Sequence, residues 1–121
     1  MGDDAVIIEG ARHDSALQRA SLYSTVHGAG RVMSRTAARG KVNRKTGEVI
    51  SPGKVTWDML REWVRGKGVI LRGGGLDESP HAYRRLPDVL AAQGDTVTVL
   101  HTLTPLIVVM AGEKEFDAYK D

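Results

Sequence analysis

Cysteine is absent from this chain, which excludes disulfides, thiolate metal sites and cysteine nucleophiles together. Aromatic residues are scarce: one Phe, two Trp and three Tyr make up 5%, against 41% hydrophobic residues in all, so the core is expected to be mainly aliphatic. No apolar run approaches the roughly 20 residues that span a bilayer. The opening residues, MGDDAVIIEG, lack the basic segment and long apolar stretch of a secretory signal. These absences lead to the expectation of a cytoplasmic protein with no membrane partner. Charge is not one-sided either. Seventeen basic residues face 15 acidic ones, a balance that permits a nucleic-acid partner without requiring one. A length of 121 residues supports one modest core, and residues 1–121 are read as a single domain.

The distribution of charge is more informative than its sum. Between Arg31 and Lys45 stand Arg31, Arg35, Arg39, Lys41, Arg44 and Lys45 with no acid among them, whereas acids gather at Asp3-Asp4, Asp77-Glu78 and from Glu113 to Asp121. Ala5 to Glu9 reads as a short strand closed by Gly10. Asp14 is expected to cap a short helix through Leu17 and Ala20, and Leu22 to Val26 is β-prone. A helical pattern starts at Arg31, with Arg31, Arg35 and Arg39 spaced four apart on one face and Gly40 as its end. Residues 41–54 read as an exposed loop with a hairpin around Thr46-Gly47. Thr56 caps the next helix, whose stripe is Trp57, Leu60 and Val64, flanked by Met59 and Trp63 and closed by Gly66 and Gly68. Val69 to Leu71 is a strand, and Gly73-Gly74-Gly75 is a loop or a close backbone approach. Ser79-Pro80 opens a helical turn, and a second short helix runs from Pro87 to Gly94. Val97, Val99, His101 and Leu103 alternate as one face of a half-buried strand. On that face His101 reads as a core histidine. Leu106 to Met110 forms a last strand, and residues 112–121 a polar tail. Short helices and strands without βαβ spacing give an α+β class, with helices packed on a small mixed or antiparallel sheet.

The stretch from Ser24 to Arg35, STVHGAGRVMSR, carries the chemistry. A histidine precedes a turn bounded by glycines, and such turns let backbone N–H groups approach a ligand closely. Arginine suits phosphate because its planar fork binds two oxygens at once. Beside such a cradle an uncharged imidazole has a lone pair with which to hydrogen-bond phosphate, or to attack phosphorus and form a phosphoramidate. A turn histidine without a ligand fits the same residues, and the arginine ladder fits the solvated face of a helix. The stripe around Trp57 fits core better than a base-stacking platform. His13 and His81 have no partners at metal-ligand spacing, so no metal site is expected within the chain.

The segment His27 to Arg39, HGAGRVMSRTAAR, resembles the signature of the RtcB family of RNA-splicing ligases. Asp77 to Arg84, DESPHAYR, resembles that family's acidic–Pro–x–Ala–Tyr–Lys/Arg segment. Val99 to Leu106, VLHTLTPL, resembles its closing strands. The resemblance covers nearly the whole chain. It implies tRNA splicing or RNA repair: joining an RNA 3′-phosphate or 2′,3′-cyclic phosphate to a 5′-hydroxyl with GTP and manganese. His27 then corresponds to the catalytic histidine that carries GMP. Gly28, Ala29, Gly30 and Arg31 correspond to the turn that holds the guanylate, Tyr83 to a tyrosine of the guanine pocket, and Arg35 to an arginine that engages RNA phosphate.

Two departures accompany the resemblance. The family's manganese ligands lie upstream of the matched region, and Met1-Gly2 resembles the end of a family motif. The chain is therefore read as the C-terminal portion of a ligase, inactive alone and partnered by a missing upstream portion. Ala5 stands where some members have a guanylate-contacting serine. Met110 stands where many members have a guanine-reading lysine, a role left to Lys114 or Lys120. The alternative is a non-catalytic remnant that binds nucleotide or RNA in a salt-sensitive manner. A further alternative is a domain whose uncovered apolar faces drive it to a homo-oligomer.

Overall fold

The computed structural model describes residues 1–43, 45–112 and 115. The expected α+β class holds. Its elements are β1 (Ala5–Gly10), α1 (Ala16–Ala20), α2 (Arg35–Arg39), β2 (Gly40–Val42), β3 (Val49–Pro52), α3 (Trp57–Lys67), β4 (Ile70–Arg72), α4 (Leu86–Gln93), β5 (Val97–Leu103) and β6 (Ile107–Val109), with 3-10 turns at Leu76–Glu78 and Pro80–Ala82. The strands form three two-stranded ladders. β1 with β5 and β2 with β3 are antiparallel, and β4 with β6 is parallel.

Local chemistry explains most of these elements. The Thr56 hydroxyl accepts from the Met59 amide, Asp58 lies in the first turn of α3, and Arg65 and Lys67 lie in its last turn. These charges oppose the helix dipole in the stabilising sense. Gly66 stays within the helix, and Gly68 ends it in a left-handed conformation. The segment read as a loop at 41–54 contains the β2–β3 hairpin. At Gly73 the backbone runs so close to β6 that a Cβ there would stand 2.0 Å from the Met110 carbonyl oxygen. The glycine triplet is thus a close approach as well as a loop, and it lets the strand after α3 reach β6.

Four local expectations need correction. The helical pattern from Arg31 yields a helix only from Arg35, because Ser34 is the N-cap and accepts from the Ala37 amide. Ser15, not Asp14, caps α1 in a reciprocal pair with Gln18. Leu22 and Tyr23 take left-handed φ angles of 55° and 54° in a turn, so Leu22 to Val26 forms no strand. In β5 the register passes from Ile7↔His101 to Ile8↔Val99. Leu100 is the extra residue of a bulge, which interrupts strict alternation. Both faces of β5 are largely exposed, and His101 is a surface residue rather than a core one.

The core is small and lies under α2. Ala38, Val55 and Ala82 are buried together, with Met33, Leu76 and Tyr83 packed against them. Of the stripe on α3 only Leu60 is fully buried, and Trp57 is 41% exposed. Leu106 and Val109 are 77% and 75% exposed. The expected tail, including Lys114 and Lys120, lies outside the described residues except for Gly112 and Glu115, as does Arg44. Among the described residues no helix is long and apolar enough to cross a membrane.

Candidate functional site

The turn after His27 is stitched to the segment after the second 3-10 turn. The Val32 amide donates to the Ala82 carbonyl at 2.9 Å, and the Arg84 amide donates to the Gly30 carbonyl at 3.0 Å. These bonds bracket an isolated antiparallel bridge between Arg31 and Tyr83. Gly30 turns the chain at a φ of 76°, a conformation that side-chain-bearing residues rarely adopt. On the other side of His27 the Thr25 hydroxyl donates to Gln93 Oε1 at the end of α4, at 3.0 Å. The histidine is therefore held between two anchors that are distant in sequence.

His27 is exposed at the rim of a cavity of about 570 Å³. Gly28, Ala29, Tyr83 and Arg84 share that rim, while Val6, Ile8, Leu86, Val89 and Leu90 of β1 and α4 supply apolar wall. Two groups here have unused bonding capacity. The histidine ring bonds found are those of His13 and His81, and the His27 ring has no protein hydrogen-bond partner among the described residues. The amides of Gly28, Ala29 and Gly30 likewise donate to no protein acceptor among the described residues. Adjacent free N–H groups beside an open imidazole form an anion cradle.

The acidic wall of the cavity is mostly compensated. Lys67 Nζ lies 3.6 Å from Asp3 and 3.2 Å from Asp4, and Arg85 Nη1 lies 3.3 Å from Asp3. One oxygen of Asp4, Oδ1, is buried without a hydrogen-bond partner. Asp4 was not among the residues singled out by sequence. Only its adjacency to Asp3 and to the family motif at Met1-Gly2 hints at a role.

Arg31 and Arg35 stand apart from the cavity lining. The Arg31 guanidinium donates to the Met33 carbonyl at 3.1 Å, the Tyr83 hydroxyl at 2.9 Å and the Asp77 carbonyl at 2.7 Å. It also stacks 4.8 Å from the centre of the Tyr83 ring. Arg35 pairs with Glu78 and lies 3.4 Å from Asp77, and Arg39 lies 3.9 Å from the same Asp77 carboxylate. The ladder Arg31, Arg35 and Arg39 is thus gathered onto the dipeptide Asp77-Glu78, with Arg39 at its exposed end. The carboxylates, Glu78 first, raise the Arg35 pKa further above its ordinary value. Tyr83 also donates to Glu78 Oε2, at 2.5 Å. Burial first, then that bond, raises its phenol above the usual range. Among the described residues no three His, Asp or Glu side chains group as metal ligands.

Comparison with known proteins identifies the family. The family profile described as tRNA-splicing ligase RtcB matches residues 1–111. RNA-splicing ligase RtcB of Escherichia coli strain K12 is 34% identical over 109 residues, which is 90% of this chain and 22% of that protein. RNA-splicing ligase RtcB1 of another Escherichia coli strain matches with the same identity and coverage. The chain thus spans about a fifth of the length of the curated relatives it matches. The match takes in the His27 turn, the Asp77 to Arg84 segment and the closing strands, and on that ground the chain belongs to the RtcB family.

Proposed function

We propose that this chain is the histidine-bearing portion of a GTP-dependent RNA ligase. The ligase joins RNA 3′-phosphate or 2′,3′-cyclic phosphate ends to 5′-hydroxyl ends. The observation that carries the reading is the unpartnered His27 ring beside the free amides of Gly28, Ala29 and Gly30, at the mouth of a cavity large enough for a nucleotide. An imidazole lone pair of His27 attacks the α-phosphorus of GTP. A P–N bond forms, the bond to the β-phosphate oxygen breaks, and pyrophosphate leaves with the electron pair. The free amides and the positive end of the Arg84 side chain favour the negative charge on the non-bridging oxygens of the α-phosphate as it is attacked. GMP then passes to the RNA 3′-phosphate, which makes that phosphorus a target for the 5′-hydroxyl.

The apolar wall of Val6, Ile8, Leu86, Val89 and Leu90 supports a purine base in the cavity. Tyr83 fits the same pocket. Arg35 engages RNA phosphate in this reading only by exchanging Glu78 for the substrate. Manganese would be held by residues outside this chain and would supply charge neutralisation at the triphosphate.

The test supplies the upstream portion of a relative together with this chain and radiolabelled GTP. Manganese-dependent label is expected on His27, labile to acid and stable to base, and absent from His27→Ala. Label that persists in that variant rejects His27 as the nucleophile.

A further inference from the structure

Three arginines stand near the His27 turn, and their donors are not equally available. Arg31 has donors committed to three protein oxygens. Arg35 is committed to two carboxylates. Arg84 is different. It lines the cavity with His27, and its side chain is exposed. Among the described residues its guanidinium makes one protein hydrogen bond, a long one of 3.5 Å from Nη1 to the Arg31 carbonyl. Among the described residues no carboxylate lies within 4.0 Å of it. The acids across the cavity, Asp3 and Asp4, are already answered by Lys67 and Arg85.

Position agrees with availability. Arg84 Nη1 lies 3.1 Å from where a Cβ on Gly30 would stand, so the guanidinium rests over the glycine turn itself. The bond from the Arg84 amide to the Gly30 carbonyl holds its backbone there. A side chain at position 30 would be strained at a φ of 76° and would press the guanidinium outward, while a glycine leaves both it and the turn's amides open. An arginine fork beside free N–H groups is a complementary set for a phosphate monoester.

We propose that Arg84 holds the phosphate of the nucleotide beside His27, while Arg31 and Arg35 maintain the framework on which that turn sits. The proposal rests on the reading of this cavity as a nucleotide site. It also makes Arg84 part of phosphate discrimination: it contributes to binding GMP and little to binding guanosine.

The experiment titrates the full chain with GMP and with guanosine, following the Gly28, Ala29 and Gly30 amides by NMR. Arg84→Gln is expected to weaken GMP binding roughly tenfold and to leave guanosine binding within about twofold, with Arg84→Lys recovering part of the loss. Because Arg84 is exposed, a dispersed spectrum checks that the variant is folded, and the GMP-to-guanosine ratio is a quantity that a merely structural role does not move. An unchanged ratio in Arg84→Gln, with GMP still shifting the turn amides, overturns the role of Arg84 and leaves the nucleotide site standing. If GMP shifts none of those amides in the unaltered chain, the nucleotide site falls and the Arg84 proposal with it.

Discussion

The Tyr83 hydroxyl donates to Glu78 Oε2 over 2.5 Å and accepts from Arg31 Nη1 over 2.9 Å, so one phenol joins the glycine turn to the acidic dipeptide. Burial and the neighbouring carboxylate both disfavour phenolate, and together they outweigh the opposing pull of Arg31. The Tyr83 pKa is accordingly raised above the ordinary 10.0. A group whose pKa is raised on folding contributes stability that is fully present below its unfolded value and is lost as pH rises through its folded value. Stability is therefore expected to be insensitive to Tyr83 below about pH 10 and to fall above it. Glu78→Gln removes the negative neighbour, and the phenol should then titrate at lower pH. Carbon NMR of labelled tyrosine reads this directly, and a Tyr83 midpoint unmoved by Glu78→Gln contradicts the assigned cause.

Asp77 is 1% exposed and faces both Arg35 and Arg39. Removing its carboxylate leaves two guanidinium groups without that partner. These arginines are 33% and 40% exposed, so water recovers part of the loss. Asp77→Ala is expected to destabilise the chain by about 1–3 kcal/mol. Urea unfolding measures it, and a midpoint within error of the parent chain means that the pairs contribute nothing net.

Two glycines should respond to alanine in opposite directions. Gly73 has a φ of 72° and no room, since a Cβ there meets the Met110 carbonyl oxygen at 2.0 Å. Gly73→Ala is expected to cost at least about 2 kcal/mol, from left-handed strain and overpacking together. Gly66 lies inside α3 with nothing within 4 Å of the added methyl. Gly66→Ala should stabilise by roughly 0.5–1 kcal/mol through helix propensity. Thermal unfolding of the pair checks both, and the same sign for both variants would refute the contrast.

Much of the fold is legible in the chain because its signals are local. Thr56 with Asp58, the apolar residues of α3, Gly68, the Thr46-Gly47 turn and Pro80 act within a few residues of themselves, and each marks the element it was read to mark. Errors arose where two local signals competed or where a partner was distant. Ser34 and Arg31 both lie ahead of a helical pattern, and the hydroxyl that reaches the Ala37 amide decides the start. The bulge at Leu100 depends on how β5 meets β1, a relation that alternation within one strand does not contain. His101 is exposed for another reason: β5 is largely exposed on both faces, so neither alternation nor register would bury it.

For the candidate site, the order of residues alone determined the imidazole, the glycine turn beside it and the concentration of arginines after it, because these are covalently adjacent. Which arginines are available for a ligand was decided only by folding. Asp77 and Glu78 lie more than 40 residues from Arg31 and Arg35, and charge attraction across that separation has effect only once α2 and the 3-10 turns are packed together. The same packing carries Arg84 over Gly30 and opens the cavity between β1 and α4. A one-dimensional reading counts charges, whereas their pairing depends on distances that exist only after the chain has closed on itself.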